Sequence, residues 1–186
     1  MDRLPIVAVI GSGVDEHDEL ARPLGRWLGG QGVHLLTGGG RGVMAAVSRA
    51  FHSAADRRGL VIGVLPGEAG RTLKGYPNPW VEIPIATHLP LSGERGTDMR
   101  SRNHINVLSA DVIVVLPGRA GTASEVHLAL GYRKPLAAFV TDPGDFPNLP
   151  PDVPVCRTVD EVTAFVTAAM KPGPRSQLDD KDLINS

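Results

Sequence analysis

The sequence predicts a single α/β domain built on a doubly wound parallel sheet. Short apolar runs without alternation, typical of buried parallel strands, alternate along the chain with segments whose apolar residues recur at helical spacing. Such an order of elements builds a parallel sheet covered by helices on both faces, with right-handed crossovers. Glycine-containing turns follow four of the apolar runs. Within 186 residues we expect one domain at 1–171 and a disordered tail at 172–186.

Three strands and two helices are predicted in the first third of the chain. Each strand is an apolar run, and each helix carries its apolar residues on one face. Pro23 is expected in the first turn of the first helix, where proline is tolerated because no intrahelical hydrogen bond is lost. The glycine-rich segment 29–32 ends that helix. The strands are predicted at 4–10, 33–36 and 60–65, and the helices at 20–28 and 43–54.

The rest of the chain continues this alternation around two irregular segments. Glycines and prolines in 69–79 argue against regular structure there, and a proline-rich loop is expected at 141–154. Thr97 or Asp98 is the expected N-cap of the third helix. The remaining strands are predicted at 80–85, 112–116 and 135–140, and the remaining helices at 99–109, 122–132 and 160–170.

Composition argues against several classes of function. With 19 basic and 20 acidic residues the net charge is −1, so we expect no binding of nucleic acid by bulk electrostatics. The single cysteine and the absence of an H-x-x-x-H pair predict no metal site and no disulfide, and no cofactor is expected. No apolar run approaches the roughly 18 residues that span a membrane, and no signal peptide is recognisable. These features predict a cytoplasmic protein without membrane contact.

The segment 112–125 is the strongest candidate for a ligand site. A buried strand leads through a glycine-containing turn into a helix, and the N–H groups of such a turn favour anions. The helix then carries Glu125 in its first turn, so the segment could hold a phosphate beside an acid/base group. Alternatively, Thr122 and Glu125 form a capping box, and both interpretations stay open. The candidate phosphate-binding residues here are Pro117, Gly118, Arg119, Gly121 and Thr122.

Glycine turns also follow other strands of the predicted sheet. The carboxyl ends of parallel strands lie along one edge, where ligands of open α/β sheets bind. Glycine allows a backbone to approach a ligand closely, because it has no Cβ. The four turns begin at Gly11, Gly38, Pro66 and Pro117. The further candidate binding residues are Gly11, Ser12, Gly39, Gly40 and Gly42.

Arg102 adds a charged group to this edge. It lies three residues from both Met99 and Ile105, so it is expected to share their inward helix face. An arginine buried there needs an anionic partner, because an unpaired buried charge is strongly unfavourable. That partner could be a ligand phosphate, Glu125 or Asp98.

The standard nucleotide-binding and hydrolase motifs are missing. Gly11-Ser12-Gly13 is followed by Glu16, which breaks the dinucleotide fingerprint, and the sequence contains neither a P-loop nor G-x-S-x-G. A phosphate-bearing ligand of mononucleotide size therefore fits better than a dinucleotide. Arg41 and Arg119 lie inside two of the glycine turns and are either solvated cations or further phosphate contacts.

Four motifs in order resemble the Lonely Guy (LOG) family, whose members were often labelled possible lysine decarboxylases. The motifs are 38–44, 61–66, 99–103 and 117–125, and the resemblance covers roughly 4–140. It implies a Rossmann-like fold, a homodimer or higher oligomer, and cleavage of nucleoside 5′-monophosphates, classically cytokinin ribotides. The products would be a free base and ribose 5-phosphate. Arg102 and Glu125 match the family's catalytic positions.

Two of these motifs depart from that pattern. In the last motif, Arg119 stands where the family has a glycine, and Ser124 stands where it has a glutamate. The arginine motif at 99–103 reads Met-Arg-Ser-Arg-Asn, where the active enzymes have M-H-x-R-K. These departures resemble a neighbouring branch that includes molybdenum-cofactor carrier proteins, which bind a phosphorylated pterin without converting it. Two functions are therefore expected, a phosphoribohydrolase of purine nucleotides or a non-catalytic carrier of a phosphorylated ligand. A lysine decarboxylase is disfavoured, because Lys74 and Lys134 are not expected near a glycine turn.

Overall fold

Seven parallel strands form one sheet at the centre of the fold. The structure is a computed structural model and describes residues 3–146 and 149–170. In chain order the strands are β1 (Ile6–Ile10), β2 (His34–Thr37), β3 (Val61–Leu65), β4 (Gly67–Glu68), β5 (Arg71–Thr72), β6 (Ile83–Ala86), β7 (Val112–Val115), β8 (Leu136–Phe139) and β9 (Val155–Cys156). The helices are α1 (Asp18–Gly29), α2 (Val43–His52), α3 (Asn103–Ser109), α4 (Ala120–Gly131) and α5 (Val159–Ala169).

The order across the sheet is β6-β3-β2-β1-β7-β8-β9, and every neighbouring pair is parallel. β4 and β5 form a separate antiparallel pair. Because all seven strands point the same way, their carboxyl ends meet along one edge of the sheet. β1 lies at the centre, between β2 and β7, so the turns after these three strands are neighbours.

Helices cover both faces of the sheet, and β7 shows how the sequence divides them. Its side chains alternate, as a strand requires. Val112 and Val114 are buried with α1, α2 and α5, whereas Ile113 and Val115 are buried with α3 and α4. A strand buried on both faces has no polar position, which explains its unbroken apolar run. The predicted fold class, an α/β domain with a doubly wound, Rossmann-like parallel sheet, is confirmed.

The strand predicted at 80–85 begins three residues later, as β6. Asn78 explains the delay, because its side-chain Oδ1 accepts a hydrogen bond from Trp80 N at 3.1 Å. Its backbone carbonyl accepts another from Val81 N at 3.3 Å. These bonds hold Trp80 and Val81 in a turn, so the chain becomes extended only at Ile83.

Three further local predictions need correction. α1 begins at Asp18, so Pro23 lies in the second turn rather than the first and forgoes a hydrogen bond to the carbonyl of Glu19. The segment 69–79 contains β5, so it is not free of regular structure. β9 was not predicted, because a strand of two residues shows no periodicity that a sequence pattern could reveal.

The tail predicted at 172–186 lies outside the described residues. Among the helices that the structure describes, none is both long and apolar enough to cross a membrane.

The contact between α1 and α2 depends on Gly25. A Cβ at this position would lie 2.7 Å from the backbone oxygen of Val47 and 2.8 Å from Ala50 Cβ. We expect Gly25→Ala to lower the free energy of unfolding by about 1–3 kcal/mol, because the helices must separate. Gly131→Ala is the matched control, since no atom lies within 4 Å of the added Cβ, and it should raise stability by about 0.5–1 kcal/mol. Urea denaturation measures both, and equal effects would contradict the packing explanation.

Candidate functional site

The centre of the sheet provides the position at which open α/β sheets bind ligands. The chain places β2 on one side of β1 and β7 on the other, so the strand order reverses there. Ligands bind outside the carboxyl ends of the strands at such a reversal. A cavity of about 210 Å³ occupies this place. The predicted site residues that line it are Gly11, Ser12, Arg102, Arg119, Gly121, Thr122 and Glu125.

Two glycines outside this lining have a packing role. A Cβ on Gly42, whose φ is 60°, would lie 2.7 Å from Val14 N. A Cβ on Gly118 would lie 3.0 Å from Ser12 N and 2.8 Å from Thr122 Cβ. These glycines let neighbouring turns approach one another. The predicted binding residues outside the lining are Gly39, Gly40, Gly42, Pro117 and Gly118, and the turn at 66–67 lies outside it too.

Ser12 joins the three central turns. Its backbone N–H donates to the carbonyl of Pro117 at 2.9 Å, and its own carbonyl accepts from Val43 N at 2.9 Å. Its side-chain oxygen accepts from the N–H groups of Val14 at 3.2 Å and Asp15 at 2.9 Å. Most hydrogen-bonding groups of Ser12 are therefore used within the protein. Ser12 contributes to the cavity by connecting the turns that form its wall.

Arg102 is buried at the cavity, with 5% of its surface exposed. Its guanidinium lies against Gly38, where a Cβ would collide with it. Two of its nitrogens, Nε and Nη1, have no hydrogen-bond partner within residues 3–146 and 149–170. An arginine of this kind at the wall of a cavity is chemically suited to an anion, because the guanidinium remains charged at any physiological pH.

Arg102 is buried, as expected, but it does not lie on the helix face that the sequence predicted. α3 begins at Asn103, so Arg102 is the residue before its first turn and neither Thr97 nor Asp98 is the N-cap. The expected inward face was wrong, since Met99 is 81% exposed. Because 99–102 is not helical, the spacing between Met99 and Arg102 does not place them on one face.

Glu125 faces Arg102 instead of capping its own helix. α4 begins at Ala120, so Thr122 is not the N-cap, and no side chain caps this helix. The predicted capping box is therefore wrong. Glu125 is buried, and its Oε1 accepts a hydrogen bond from Asn106 Nδ2 at 3.0 Å and lies 3.7 Å from Arg102 Nη1. The carboxylate of Glu125 lies beside the first turn of α3, where the Asn106 amide donates a hydrogen bond to it and the buried Arg102 cation is near.

The environment of Glu125 disfavours its charged form. Burial raises the pKa of this carboxyl above its ordinary value of 4.5, although the charge of Arg102 and the hydrogen bond from Asn106 act in the opposite direction. At 3.7 Å the pair with Arg102 lacks the short, bidentate geometry that best stabilises a buried ion pair. The pair between Glu125 and Arg102 is therefore weaker than a short, bidentate ion pair would be.

Several residues at the site escaped the sequence analysis. Asn103 and Tyr76 line the cavity, and Asn106 holds Glu125. Asn106 follows Arg102 by four residues, a spacing that could have revealed it. Ser124, the substituted position, donates through Oγ to the carbonyl of Gly93 at 2.8 Å and so anchors a loop that forms part of the lining.

Comparisons with known proteins agree with this architecture. A model of the SLOG cluster4 family matches residues 4–163. A molybdenum cofactor carrier protein from Chlamydomonas reinhardtii is 34% identical, with a TM-score of 0.68 over 90% of this chain and 98% of its own. The molybdenum cofactor binding protein of Rippkaea orientalis is 32% identical, with a TM-score of 0.69 over the same shares. An uncharacterized protein of Archaeoglobus fulgidus is 31% identical over 139 residues, 74% of this chain and 81% of its own.

The raised pKa of Glu125 predicts how pH changes stability. A carboxyl whose pKa is higher in the folded protein contributes stability below 4.5 that is lost as pH rises through the folded pKa. The free energy of unfolding of the wild type, relative to Glu125→Gln, should therefore fall as pH increases above 4.5. Urea denaturation over a series of pH values measures this difference.

Glu82→Gln is a control for which the opposite pH dependence of stability is expected. Burial disfavours the charge of Glu82, but hydrogen bonds from Arg57 and Val61 N–H outweigh it and lower its pKa. The wild type should lose stability relative to this variant as pH falls below 4.5. The same trend in both pairs would contradict the environment assigned to Glu125.

Proposed function

The chain belongs to the SLOG cluster4 family, and from this premise we propose that it binds a small phosphorylated ligand and carries it without cleaving it. Two solved relatives with more than 30% identity are described as a carrier and a binding protein of the molybdenum cofactor. They support a phosphorylated pterin of that kind as the ligand. This carrier role has better support than the nucleotide hydrolysis implied by the LOG resemblance.

The observation that carries the proposal is the Arg102 guanidinium. Its Nε and Nη1 donors are buried at the cavity and have no hydrogen-bond partner in the part of the chain that the structure describes. A buried donor without a partner is unfavourable by about 1–3 kcal/mol, and more when it is charged. A phosphate beside this guanidinium would supply a second negative charge to it, in addition to the carboxylate of Glu125 at 3.7 Å.

The rest of the cavity suits a phosphate as well. Gly121 and Thr122 lie in the first turn of α4, where the helix dipole and unpaired N–H groups attract anions. Arg119 immediately precedes this turn and lines the cavity. Its side chain is 82% exposed and lies 3.9 Å from Asp15. The phosphate would lie between the start of α4 and Arg102, and the rest of the ligand would extend toward the opening.

Hydrolysis of an N-glycosidic bond is the second candidate function. One observation favours it, since Arg102 and Glu125 both line the cavity, as the catalytic pair of a phosphoribohydrolase would. In that mechanism Glu125 stabilises an oxocarbenium-like ribose and activates water, and both tasks need its ionised form. Burial, which raises the pKa of Glu125, disfavours the ionised form, whereas the hydrogen bond from Asn106 favours it. The carrier role is supported over cleavage by the two solved relatives that are described as a carrier and a binding protein.

We also propose an assembly state and the classes of partner that the protein does not bind. A homodimer or higher homo-oligomer rests on the family resemblance, and sedimentation velocity would measure it. We also propose that the protein works in the cytoplasm and binds neither nucleic acid nor membrane, in keeping with its net charge of −1.

Removal of the guanidinium tests the binding site. We expect Arg102→Gln to weaken binding of AMP and inorganic phosphate at least about tenfold, because hydrogen bonds to charged groups contribute about 1.5–3 kcal/mol. Isothermal titration calorimetry measures both affinities. Arg58→Gln, which removes an exposed arginine outside the cavity, should leave them unchanged. Equal binding by Arg102→Gln and the wild type would show that the phosphate lies elsewhere.

The reaction itself separates the two candidate functions. When the protein is incubated with AMP, a carrier releases no adenine above the rate in buffer, and chromatography detects the free base. Release of adenine that disappears in Glu125→Gln would replace the carrier proposal by the hydrolase. Mass spectrometry of a co-purified ligand, with elemental analysis for molybdenum, then tests whether the cargo is a phosphorylated pterin that carries the metal.

A further inference from the structure

A second cleft adjoins the cavity that contains Arg102. It has a volume of about 360 Å³ and is lined by Gly13, Arg41, Met44, Lys74, Gly75 and Tyr76. Two of these residues are cations and none is a carboxylate. Within residues 3–146 and 149–170, neither Arg41 nor Lys74 forms a salt bridge, unlike Arg49 and Arg57. The cleft therefore has a positive charge that the protein leaves uncompensated.

The position of Lys74 differs from the sequence-based expectation. Lys74 lies in the irregular segment 69–79, and it was not expected near a glycine turn. The structure places it in one cleft with Arg41, which belongs to the turn after β2. Residues 33 positions apart in the sequence thus meet through the fold.

Asn78 attaches the loop that contains Lys74 to that turn. Its backbone N–H donates to the carbonyl of Gly39 at 2.7 Å, and its side-chain Nδ2 donates to the carbonyl of Gly40 at 2.9 Å. Asn78 is buried, so water does not compete for these bonds. The cleft is consequently held together by a specific contact between two separate loops.

The two cavities share an apolar wall. Gly13, Met44 and Tyr76 line both of them. A Cβ on Gly40 would lie 2.7 Å from Met44 Cε and 3.0 Å from Tyr76 Cε1, so both side chains pack against this glycine. The wall gives an uncharged, partly aromatic surface between two cationic places, which suits a planar ring more than a charged group.

We propose that Arg41 and Lys74 form a second anion subsite, which takes the far anionic group of the ligand whose phosphate binds at Arg102. The ligand class is then a ring system with an anionic group at each end, and its ring lies along Met44 and Tyr76. A second phosphate, a carboxylate or a metal-bound oxyanion shares the required chemistry. This subsite rests on the proposed function, because Arg102 is taken to hold the phosphate.

A pair of nucleotides that differ at the far end of the base tests the subsite. AMP has one anionic group, whereas adenylosuccinate has the same 5′-phosphate and a dicarboxylate on N6. We expect adenylosuccinate to bind about tenfold more tightly than AMP, because two charge-assisted contacts are added. N6-benzyl-AMP, which adds bulk without charge, should show no such gain. Calorimetry measures the three affinities.

Two double variants test whether the preference for adenylosuccinate depends on Arg41 and Lys74. The preference for adenylosuccinate should disappear in the Arg41→Gln/Lys74→Gln protein and persist in Arg58→Gln/Arg71→Gln, which removes two exposed arginines outside both cavities. Adenylosuccinate, but not AMP, should also protect Lys74 from acetylation, with Lys134 as the internal reference in peptide mass spectrometry. Equal affinities for AMP and adenylosuccinate, or a preference that survives in Arg41→Gln/Lys74→Gln, would overturn the subsite.

The same reagents separate failure of the subsite from failure of the proposed function. If the wild type binds AMP and Arg102→Gln does not, the phosphate site stands whatever the result for adenylosuccinate. If neither nucleotide nor inorganic phosphate binds, the phosphate site at Arg102 fails, and acetylation of Lys74 in the presence of inorganic pyrophosphate decides the subsite alone. Protection would support an anion site at Arg41 and Lys74, and unchanged labelling would overturn it. A second phosphate and a metal oxyanion are distinguished by repeating the labelling with phosphate and with molybdate.

Discussion

The buried guanidinium of Arg102 is the interaction on which the rest of the site depends. An arginine in this position must lie close to a backbone without a Cβ, and Gly38 supplies that surface. It must also have negative charge nearby, and Glu125 supplies part of it at 3.7 Å. Removing a charge from water is unfavourable by several kcal/mol when its partner is imperfect. Within residues 3–146 and 149–170, two donors of this guanidinium have no hydrogen-bond partner, and this supports the proposal that the site takes an anion.

The turns around Arg102 are connected to one another by backbone hydrogen bonds. Ser12 connects the turn after β1 to the turn after β7 and to the start of α2 by backbone hydrogen bonds of 2.9 Å. Gly42 and Gly118 permit the close approach, because a Cβ at either position would strike the backbone of the turn after β1. A site built from backbone contacts of this kind is set before a ligand arrives, which lowers the entropy lost on binding.

Two of the substitutions that separate the chain from the LOG pattern have structural consequences. Arg119 adds a positive charge beside the start of α4, and Ser124 replaces a carboxylate by a hydroxyl that holds the loop at Gly93. Both changes make the neighbourhood of Glu125 less acidic than a pair of glutamates would. An environment of this sort favours an anionic ligand, whereas cleavage of a glycosidic bond would benefit from a second carboxylate.

Sequence alone determined the alternation of the six longer strands with the five helices, the two-faced parallel sheet and the edge at which the candidate site lies, since apolar runs such as 112–116 and glycine turns are local signals. It also identified Arg102 and Glu125, which face one another in the structure. The beginning of α3, the loss of the capping box and the pairing of Glu125 with Asn106 were decided by tertiary contacts, because a buried charge selects its partner across helices. Only the fold brings Arg41 to Lys74, since Asn78 joins their loops through two backbone carbonyls that no sequence pattern records.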